Sequence, residues 1–535
     1  METNVIRQKG CCRLAWKDLD PNRFSIRVQE KYILHNVFER KEDHMSYETQ
    51  QPLTVKDIPI VGNQELRKVI CASGLGNAIE WFDFSVYGFL AVVIGQTFFA
   101  SAPSSVQLIA SLATFSIPFL FRPLGGAVFG YLGDKYGRKN ILSFTIILMS
   151  ASTFFIGLIP SYDTIGVLAP ILLLLAKIIQ GLSVGGEYAG AVVFVSEYSP
   201  DRKRGFLASW LDFGSIAGFL VGAIVVSLIS FVLGQELMNE WGWRIPFFVS
   251  LPLGLVGLYL RKSLDESPTY EAQNNSETKL EPAISMEAIF HDNLKGILVS
   301  CLLVIATNST YYMLLTYMPN YLSVNLGYSY NHGVLIIIVV MVFMLFLQPF
   351  IGFLSDRVGR KPFLYLGSIA LLVLAIPAFY MIGHSNVFFI TVGIAILALI
   401  LCCFTGVMAS ILPALFPTEV RFRTLAICFN IAVLIAGLTP PIAAWLVETF
   451  HSLYMPAYYL IIVAVFGLIA AISVPETANR PLKDATPVAS SRSEAKEVLQ
   501  EHFDNIEDQV NAIEEKISDL EEQRQNLVDQ HPKLN

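Results

Sequence analysis

Long apolar segments, each of about 20 residues or more, constrain the fold of this chain more than any other feature. They lie at 71–99, 107–132, 141–160, 165–198, 206–233 and 243–260, and then at 294–322, 332–355, 362–383, 387–416, 424–449 and 452–474. Only 15% of the 535 residues are charged, whereas soluble domains carry about 25%. The sequence therefore predicts an all-α membrane protein, with twelve transmembrane helices in two six-helix halves.

Polar stretches between these segments mark the domain boundaries. We expect an N-terminal segment at 1–70, a first half at 71–260, a linker at 261–293, a second half at 294–474, a second linker at 475–498 and a coiled coil at 499–530. Residues 1–44 are polar and have no apolar signal-peptide core. We expect them to be disordered or to result from an over-extended start, because Met45 is a more natural first residue.

Lysine and arginine cluster in alternate loops. The basic loops lie at 135–139, 202–204, 261–279, 357–361 and 421–423, while the loops at 100–107, 160–164, 323–332, 383–386 and 451–456 carry neither residue. Basic loops stay on the cytoplasmic side of a membrane. This pattern predicts a multi-pass protein of the inner membrane with both termini in the cytoplasm.

A ten-residue motif occurs once in each half, between the second and third helices. It reads GYLGDKYGRK at 130–139 and GFLSDRVGRK at 352–361. The residues that we expect to act in conformational change are Gly130, Asp134, Gly137 and Arg138, and Gly352, Asp356, Gly359 and Arg360. Glycines let helix ends approach closely, and the charged groups can pair or cap helix ends. Such contacts can break and re-form as the halves rock, around a substrate site near the middle of the membrane.

This motif pair resembles the signature of the major facilitator superfamily, and the run from Lys177 through Gln180 to Gly181 is similar to its fourth-helix RxxQG motif, with lysine in place of arginine. From Asp57 onward the chain resembles the metabolite:proton symporter branch, at 76–84, 122–126, 185–188, 200–205, 306–308 and 311–319. With its coiled-coil tail it is similar to the osmosensory transporters of proline and glycine betaine. The resemblance implies a transporter and not an enzyme, which takes up zwitterionic osmolytes with protons by alternating access and is activated by high osmolality.

Six ionisable residues lie within the predicted helices of the first half: Glu80, Asp83, Arg122, Lys177, Glu187 and Asp212. A charge within the membrane costs about 2.5–3.5 kcal/mol, so each such residue requires a reason. We interpret Glu80, Asp83 and Glu187 as candidate carriers of a coupling proton, and we predict no other cofactor and no metal. The alternative for each residue is a structural ion pair, such as one that fixes the first helix to Arg122 or Lys177.

A zwitterionic substrate needs donors for its carboxylate and aromatic rings for its cationic head. The candidates for substrate binding are Asn77, Trp81, Tyr87, Arg122, Lys177, Trp210, Asn308, Tyr311 and Tyr312. Helix packing is the alternative role for the aromatic residues. Two other functions stay open: a symporter of the same branch that carries a dicarboxylate or a shikimate-like acid, and a membrane osmosensor that does not transport. There is no basic stripe that would indicate a nucleic acid as partner.

The tail repeats apolar residues in alternating steps of three and four. The heptad positions are Phe503, Ile506, Val510, Ile513, Ile517, Leu520, Arg524 and Leu527. This spacing is typical of a coiled coil, in which Arg524 is the single polar member of the core. We expect a homodimer through the tail, and the alternative is one amphipathic helix in solvent. The expected partners are therefore zwitterionic solutes, protons, membrane lipid and a second copy of the chain.

Overall fold

The structure is a computed structural model that describes residues 54–55, 58–136, 138–262 and 286–530. The helices of the first half are α1 (Asn63–Phe89), α2 (Ala91–Phe98), α3 (Ser104–Tyr136), α4 (Arg138–Leu158), α5 (Leu168–Val184), α6 (Glu187–Tyr198), α7 (Arg204–Leu237) and α8 (Arg244–Lys262). Those of the second half are α9 (Met286–Tyr311), α10 (Tyr330–Val358), α11 (Lys361–Ile382), α12 (Val387–Ile411), α13 (Arg421–Gly437), α14 (Thr439–Phe450) and α15 (Met455–Ser473), followed by α16 (Arg492–Gln530) in the tail. The predicted leader 1–44, Gly137 and most of the first linker lie outside the described residues.

Every predicted apolar segment contains a helix. Nine helical stretches of the described chain are each long and apolar enough to cross a membrane, and the pair α1 and α2, bent by 63°, makes a tenth. The two other predicted segments coincide with shorter apolar helices, Ser143–Leu158 within α4 and Arg244–Tyr259 within α8. The long apolar runs therefore locate the helices of both halves.

Several of these passes are interrupted at defined residues. Gly185 and Gly186 separate α5 from α6, and a wider π-helical segment, Tyr312–Tyr317, continues α9. Irregular backbone at membrane depth is tolerated only where protein satisfies its polar groups. The Gly185 carbonyl fits this rule, since it accepts a hydrogen bond from Asn430 Nδ2 at 2.6 Å. Both breaks place polar groups between the two halves.

Glycines bring α7 directly against α1. A Cβ atom at Gly214 would overlap the backbone of Gly74, and one at Gly218 would overlap the carbonyl of Ala78. One turn further, a Cβ atom at Gly222 would collide with Ser85. Small residues allow helices in a membrane to approach this closely. The spacing of α1 and α7 is therefore set by their backbones.

Residues before α1 pack on the start of the tail, in a compact unit separate from the two halves. Ile58, Ala489 and Ala495 form its small apolar core, with Leu499 packed beside it. The Ala489 N–H donates to the Pro59 carbonyl at 3.1 Å. The chain that leads into α1 is thus attached to the chain that leads into α16.

Candidate functional site

Seven buried aromatic residues from both halves meet between them, and we call this set the central ring cluster. Its members are Trp81, Phe84, Phe115, Phe119, Phe219, Tyr311 and Tyr312. Within the cluster, the closest contact across the halves joins Trp81 and Tyr311, whose ring centroids are 4.8 Å apart. Tyr312 contacts Phe119 at 5.2 Å. The cluster supplies several aromatic faces that a cation could contact.

The tyrosines of the second half bring polar groups into this apolar region. The hydroxyls of Tyr311, Tyr312 and Tyr317 are buried, and they have no hydrogen-bond partner among the described residues. A buried tyrosine hydroxyl ordinarily finds a partner. Tyr312 and Tyr317 begin and end the π-helical segment, and such segments are frequent at functional sites. Three hydroxyls are therefore available to a bound polar molecule.

Glu80 of α1 forms a buried ion pair with Arg122 of α3. The Arg122 guanidinium lies 5.3 Å from the ring centroid of Phe119 and 5.4 Å from that of Phe84. Glu80 Oε2 and Arg122 Nε have no hydrogen-bond partner in the described part of the chain. The pair thus borders the central ring cluster and keeps some unused hydrogen-bonding capacity.

Asp83 belongs to a different network, which holds Lys177. Ser250 donates to Asp83 Oδ1 at 2.6 Å, and Thr153 donates to Oδ2 at 2.9 Å. Gln180 Nε2 donates to the Thr153 hydroxyl at 3.0 Å, and Gln180 Oε1 accepts from Lys177 Nζ at 2.9 Å. These hydrogen bonds connect a buried carboxylate to a buried ammonium through neutral groups.

The Lys177 ammonium also lies 3.8 Å from the ring centroid of Tyr87, a cation–π contact. Gly181 completes the fourth-helix motif, because a Cβ atom there would overlap the backbone of Pro118 in α3. Each member of the motif therefore has a structural role: the lysine binds the glutamine, the glutamine extends the network, and the glycine lets α5 approach α3.

A third acidic group, Asp212, lies beside the break between α5 and α6. Tyr188 donates to Asp212 Oδ1 at 2.9 Å, and its ring stacks on Phe429 of the second half at 4.4 Å. Asp212 Oδ2 has no hydrogen-bond partner among the residues described. Glu187 begins α6, is buried, and interacts electrostatically with Glu80.

The remaining predicted substrate residues are distributed unevenly around the cluster. Asn77 supports it directly, because its Oδ1 accepts from the Trp81 indole at 3.1 Å while its Nδ2 donates to Ser215. Trp210 instead contacts Phe206 and Phe213 on its own helix. Asn308 donates to the carbonyl of Val304, also on its own helix. The structure therefore brings Asn77, but not Trp210, to the central ring cluster.

Sequence reasoning missed several residues that contact the predicted ones. They are Phe115, Phe119, Thr153, Tyr188, Phe219, Ser250 and Phe429. The only sequence signal was that Tyr188 follows the predicted Glu187. Phenylalanine, serine and threonine are ordinary in membrane helices, so the others had none.

A cavity of about 460 Å³ lies between the halves at the end where the loops lack lysine and arginine. Gln96 and Gln235 line it from the first half, and Ser323 and Tyr328 line it from the second. Phe89 lies in its wall and also contacts Phe219 of the central ring cluster at 6.4 Å. The cavity therefore leads from this end toward the cluster.

The second copy of the repeated motif joins the halves at the opposite end, which we call the basic end. Asp356 accepts hydrogen bonds from the backbone N–H groups of Gly205, at 2.7 Å, and Phe206, at 2.8 Å, at the N-terminus of α7. A carboxylate is favourable there because the helix dipole is positive at that end. Gly205 and Gly352 pack closely beside this cap. The side chains of Asp134 and Arg138 in the first copy lie outside the described residues.

Residues 476–485, which we call the strap, follow α15 at the basic end. Glu476 accepts hydrogen bonds from the backbone N–H groups of Arg360 and Lys361 at the start of α11, at 3.1 and 3.2 Å. Burial alone would raise the pKa of Glu476, but these hydrogen bonds and those from its own neighbours outweigh it and hold the pKa below the ordinary value. Arg360 also donates to the Thr477 carbonyl at 3.0 Å.

The strap reaches the first half as well. Arg204, at the start of α7, donates to the Arg480 carbonyl at 2.8 Å. Arg421 of α13 donates to the Lys483 carbonyl at 2.8 Å and pairs with Glu197 of α6 at 2.8 Å. The strap therefore contacts both halves where they meet at the basic end.

Two family models match the chain. The one described as sugar (and other) transporter matches residues 68–286 and 271–489. The chain belongs to this transporter family, within the major facilitator superfamily. The model described as osmosensory transporter coiled coil matches residues 490–535 of the transporter.

Similar proteins cover nearly the whole transporter. The proline/betaine transporter of Escherichia coli is 59% identical over 492 residues, which are 91% of this chain and 98% of that protein. The glycine betaine/proline/ectoine/pipecolic acid transporter of Dickeya dadantii is 60% identical over the same length and the same shares of both chains. A solved proton:xylose symporter of the major facilitator superfamily aligns with a TM-score of 0.64 at 20% identity, covering 79% of this chain and 98% of that one.

These findings confirm the sequence predictions of a multi-pass, all-helical membrane protein of the major facilitator superfamily with a coiled-coil tail. They also confirm a transporter in place of an enzyme.

Proposed function

We propose that this transporter takes up zwitterionic osmolytes such as proline and glycine betaine together with protons. The observation that carries the proposal is the 59–60% identity to transporters named for these solutes, over 98% of their length. Transport proceeds by alternating access, with the cavity opening at one end of the halves and the basic end opening in turn. High osmolality activates transport, in accord with the match of the tail to osmosensory coiled coils.

The central ring cluster suits such a substrate. Glycine betaine has a methylated ammonium that cannot donate hydrogen bonds, so aromatic faces are its natural partners. Its carboxylate accepts hydrogen bonds, which Tyr311 and Tyr312 can donate, since their hydroxyls have no partner among the described residues. Both kinds of group lie at the junction of the halves, where a substrate must bind to be exposed to each side in turn.

Asp83 is the stronger candidate for the coupling proton. Its partners Ser250 and Thr153 are hydroxyls, which can donate to a carboxylate or accept from a carboxylic acid. Both protonation states of Asp83 therefore keep hydrogen bonds. Glu80 is paired directly with Arg122, so protonating it would leave a buried guanidinium without its counter-ion.

The orientation and the oligomeric state belong to the same proposal. The loops of the basic end carry the lysine and arginine clusters, so this end and both termini face the cytoplasm. Ile517 and Leu520 are exposed apolar residues on α16, 43% and 57% exposed. They lie at heptad positions where a second α16 would cover them, which supports a homodimer through the tail.

A reconstitution experiment tests the proposed function. The purified full chain is placed in liposomes, a pH gradient is imposed, and uptake of labelled betaine, proline and a dicarboxylate is compared at low and high external osmolality. We expect accumulation of betaine and proline, driven by the gradient and increased at high osmolality. Preferred uptake of the dicarboxylate would support the alternative substrate, and no uptake of any solute would support a sensor that does not transport.

The dicarboxylate alternative has less support from the geometry. An anionic substrate would need a cation in the site. The two candidate cations from the sequence analysis already have partners. Arg122 pairs with Glu80, and Lys177 donates to Gln180.

A further inference from the structure

We propose that Asp212 is the counter-ion of the cationic head of the substrate, and that it selects solutes with a positive head over neutral-headed acids of the same shape. This inference rests on the proposed function, since it concerns the same site. Asp212 lies on α7, is 5% exposed, and makes no ion pair with any of the described residues.

One oxygen of this carboxylate is already used and the other is not. Oδ1 accepts from the Tyr188 hydroxyl at 2.9 Å, whereas Oδ2 is buried and has no hydrogen-bond donor within the described chain. A buried carboxylate without a partner is costly, so such an oxygen calls for a cation that the described residues do not supply. A methylated ammonium would supply positive charge, and because it has no N–H group it would need no hydrogen bond to Oδ2.

Besides Tyr188, which binds it directly, aromatic residues of both halves lie near this carboxylate. Tyr311 interacts electrostatically with Asp212, and Tyr311 and Trp81 are in ring contact at 4.8 Å. Asn77 ties these groups together, because it accepts from the Trp81 indole and donates to the carbonyl of Leu211, the residue before Asp212, at 2.8 Å. Rings and a carboxylate are the two components that attract a quaternary ammonium.

The site is also held in position. The glycine contacts between α7 and α1 fix the helix that carries Asp212 against the helix that carries Trp81. The stacking of Tyr188 on Phe429 brings the second half to the same place. A cation bound here would therefore contact both halves at their junction.

The test compares two ligands of the same shape. Glycine betaine and 3,3-dimethylbutyrate differ by a positively charged nitrogen in place of a neutral carbon. Their equilibrium binding to the purified full chain in lipid nanodiscs is measured by calorimetry. We expect the wild-type protein to prefer betaine. In Asp212→Asn the ratio of the two affinities should fall by at least about 30-fold, the lower range for removing one partner of a buried charge pair, while the neutral ligand still binds.

Controls separate charge from folding. Asp163→Asn removes an exposed carboxylate elsewhere on the chain and should leave the ratio unchanged. Tyr188→Phe keeps the Asp212 carboxylate and removes only its donor, so the preference for betaine should persist. If Asp212→Asn does not give folded protein, Asp212→Glu is used, and its ratio should fall because the charge moves by one methylene group.

The outcomes distinguish this inference from the function on which it rests. If the wild-type protein neither binds nor transports betaine, the proposed function fails. If it transports betaine but binds the neutral ligand equally well, or if the ratio is the same in the Asp212 variant, only the counter-ion role is overturned. Loss of both ligands in a folded Asp212→Asn protein would also overturn it, since Asp212 would then build the site and not select the charge. A changed pH dependence with an unchanged ratio would assign Asp212 to proton transfer.

Discussion

The Asp356 cap at the basic end provides the sharpest test of how the two halves separate. This carboxylate belongs to the second half and binds two backbone N–H groups that begin α7 in the first half. The cap must break whenever the halves part at this end. Asp356→Asn keeps the shape of the side chain and one acceptor oxygen, but it replaces the other oxygen by an amide that cannot accept.

The size of the effect follows from these contacts. A hydrogen bond to a charged group contributes about 1.5–3 kcal/mol, and a charge at a helix N-terminus contributes about 0.3–1 kcal/mol. Since asparagine retains one of the two bonds, we expect a loss of about 2 kcal/mol, or roughly 30-fold in the ratio of closed to open basic ends. An open population of about 1% would rise to about a quarter.

Distance measurements between spin labels can detect such a change. Lys203 in the first half and Glu419 in the second are exposed residues at the basic end, and each is replaced by cysteine in a background without the native cysteines. We expect a longer-distance population to appear in Asp356→Asn. Turnover should slow while the substrate affinity measured by binding changes little, because Asp356 is remote from the central ring cluster. We expect the same transport phenotype from Asp134→Asn in the first copy of the motif.

Two results would refute this reasoning. One is an unchanged distance distribution together with normal turnover, which would mean that the cap does not control the basic end. The other is a large loss of affinity at unchanged turnover, which would place Asp356 in substrate recognition. Asp163→Asn, an exposed residue in the loop 160–164 that lacks lysine and arginine, is the matched control.

Three further predictions concern coupling, the strap and the tail. Asp83→Asn should still exchange solute across the membrane yet fail to accumulate it under a pH gradient alone. Glu80→Gln should mainly destabilise the protein, because it leaves a buried cation unpaired. Normal accumulation by both variants would make Glu187 the next candidate for the coupling proton. Glu476→Gln should lower the free energy of unfolding by about 1 kcal/mol at pH 7. This effect is smaller than for a fully buried carboxylate, because Glu476 is only half buried and solvent screens its charge. Because the folded-state pKa of Glu476 lies below its ordinary value of 4.5, this stabilisation is present above that value, and the difference between the two melting curves should vanish as the pH falls through the lowered pKa. Ending the chain near Ala489 should shift osmotic activation in liposomes while leaving some transport, and an unchanged osmolality profile would contradict a regulatory tail.

The architecture was predictable because hydropathy and heptad spacing are local properties. Each apolar run specifies its own helix whatever its neighbours are, and a motif repeated at 130–139 and 352–361 indicates two related halves. The same local reasoning identified Trp81 and Tyr311 as aromatic candidates, and these two rings are in contact.

The partners of each charged residue were not predictable in this way, because they lie far apart in the sequence. Arg122 meets Glu80 across 42 residues, and Asp356 meets Gly205 across 151. The strap left no pattern at all. Both halves contact the strap largely through its backbone carbonyls, such as that of Lys483. Every residue has a backbone carbonyl, so these contacts require no particular sequence.

The backbone contact between α1 and α7 has a consequence for the transport cycle. No side chain separates Gly214 from Gly74, so α1 and α7 are in direct backbone contact there. We therefore expect Trp81 and Asp212 to move together, as parts of one wall of the site. Tyr311 is carried by the other half, so its distance from that wall is the dimension that changes. A substrate between Trp81 and Tyr311 would therefore contact both residues only when the two walls are close together.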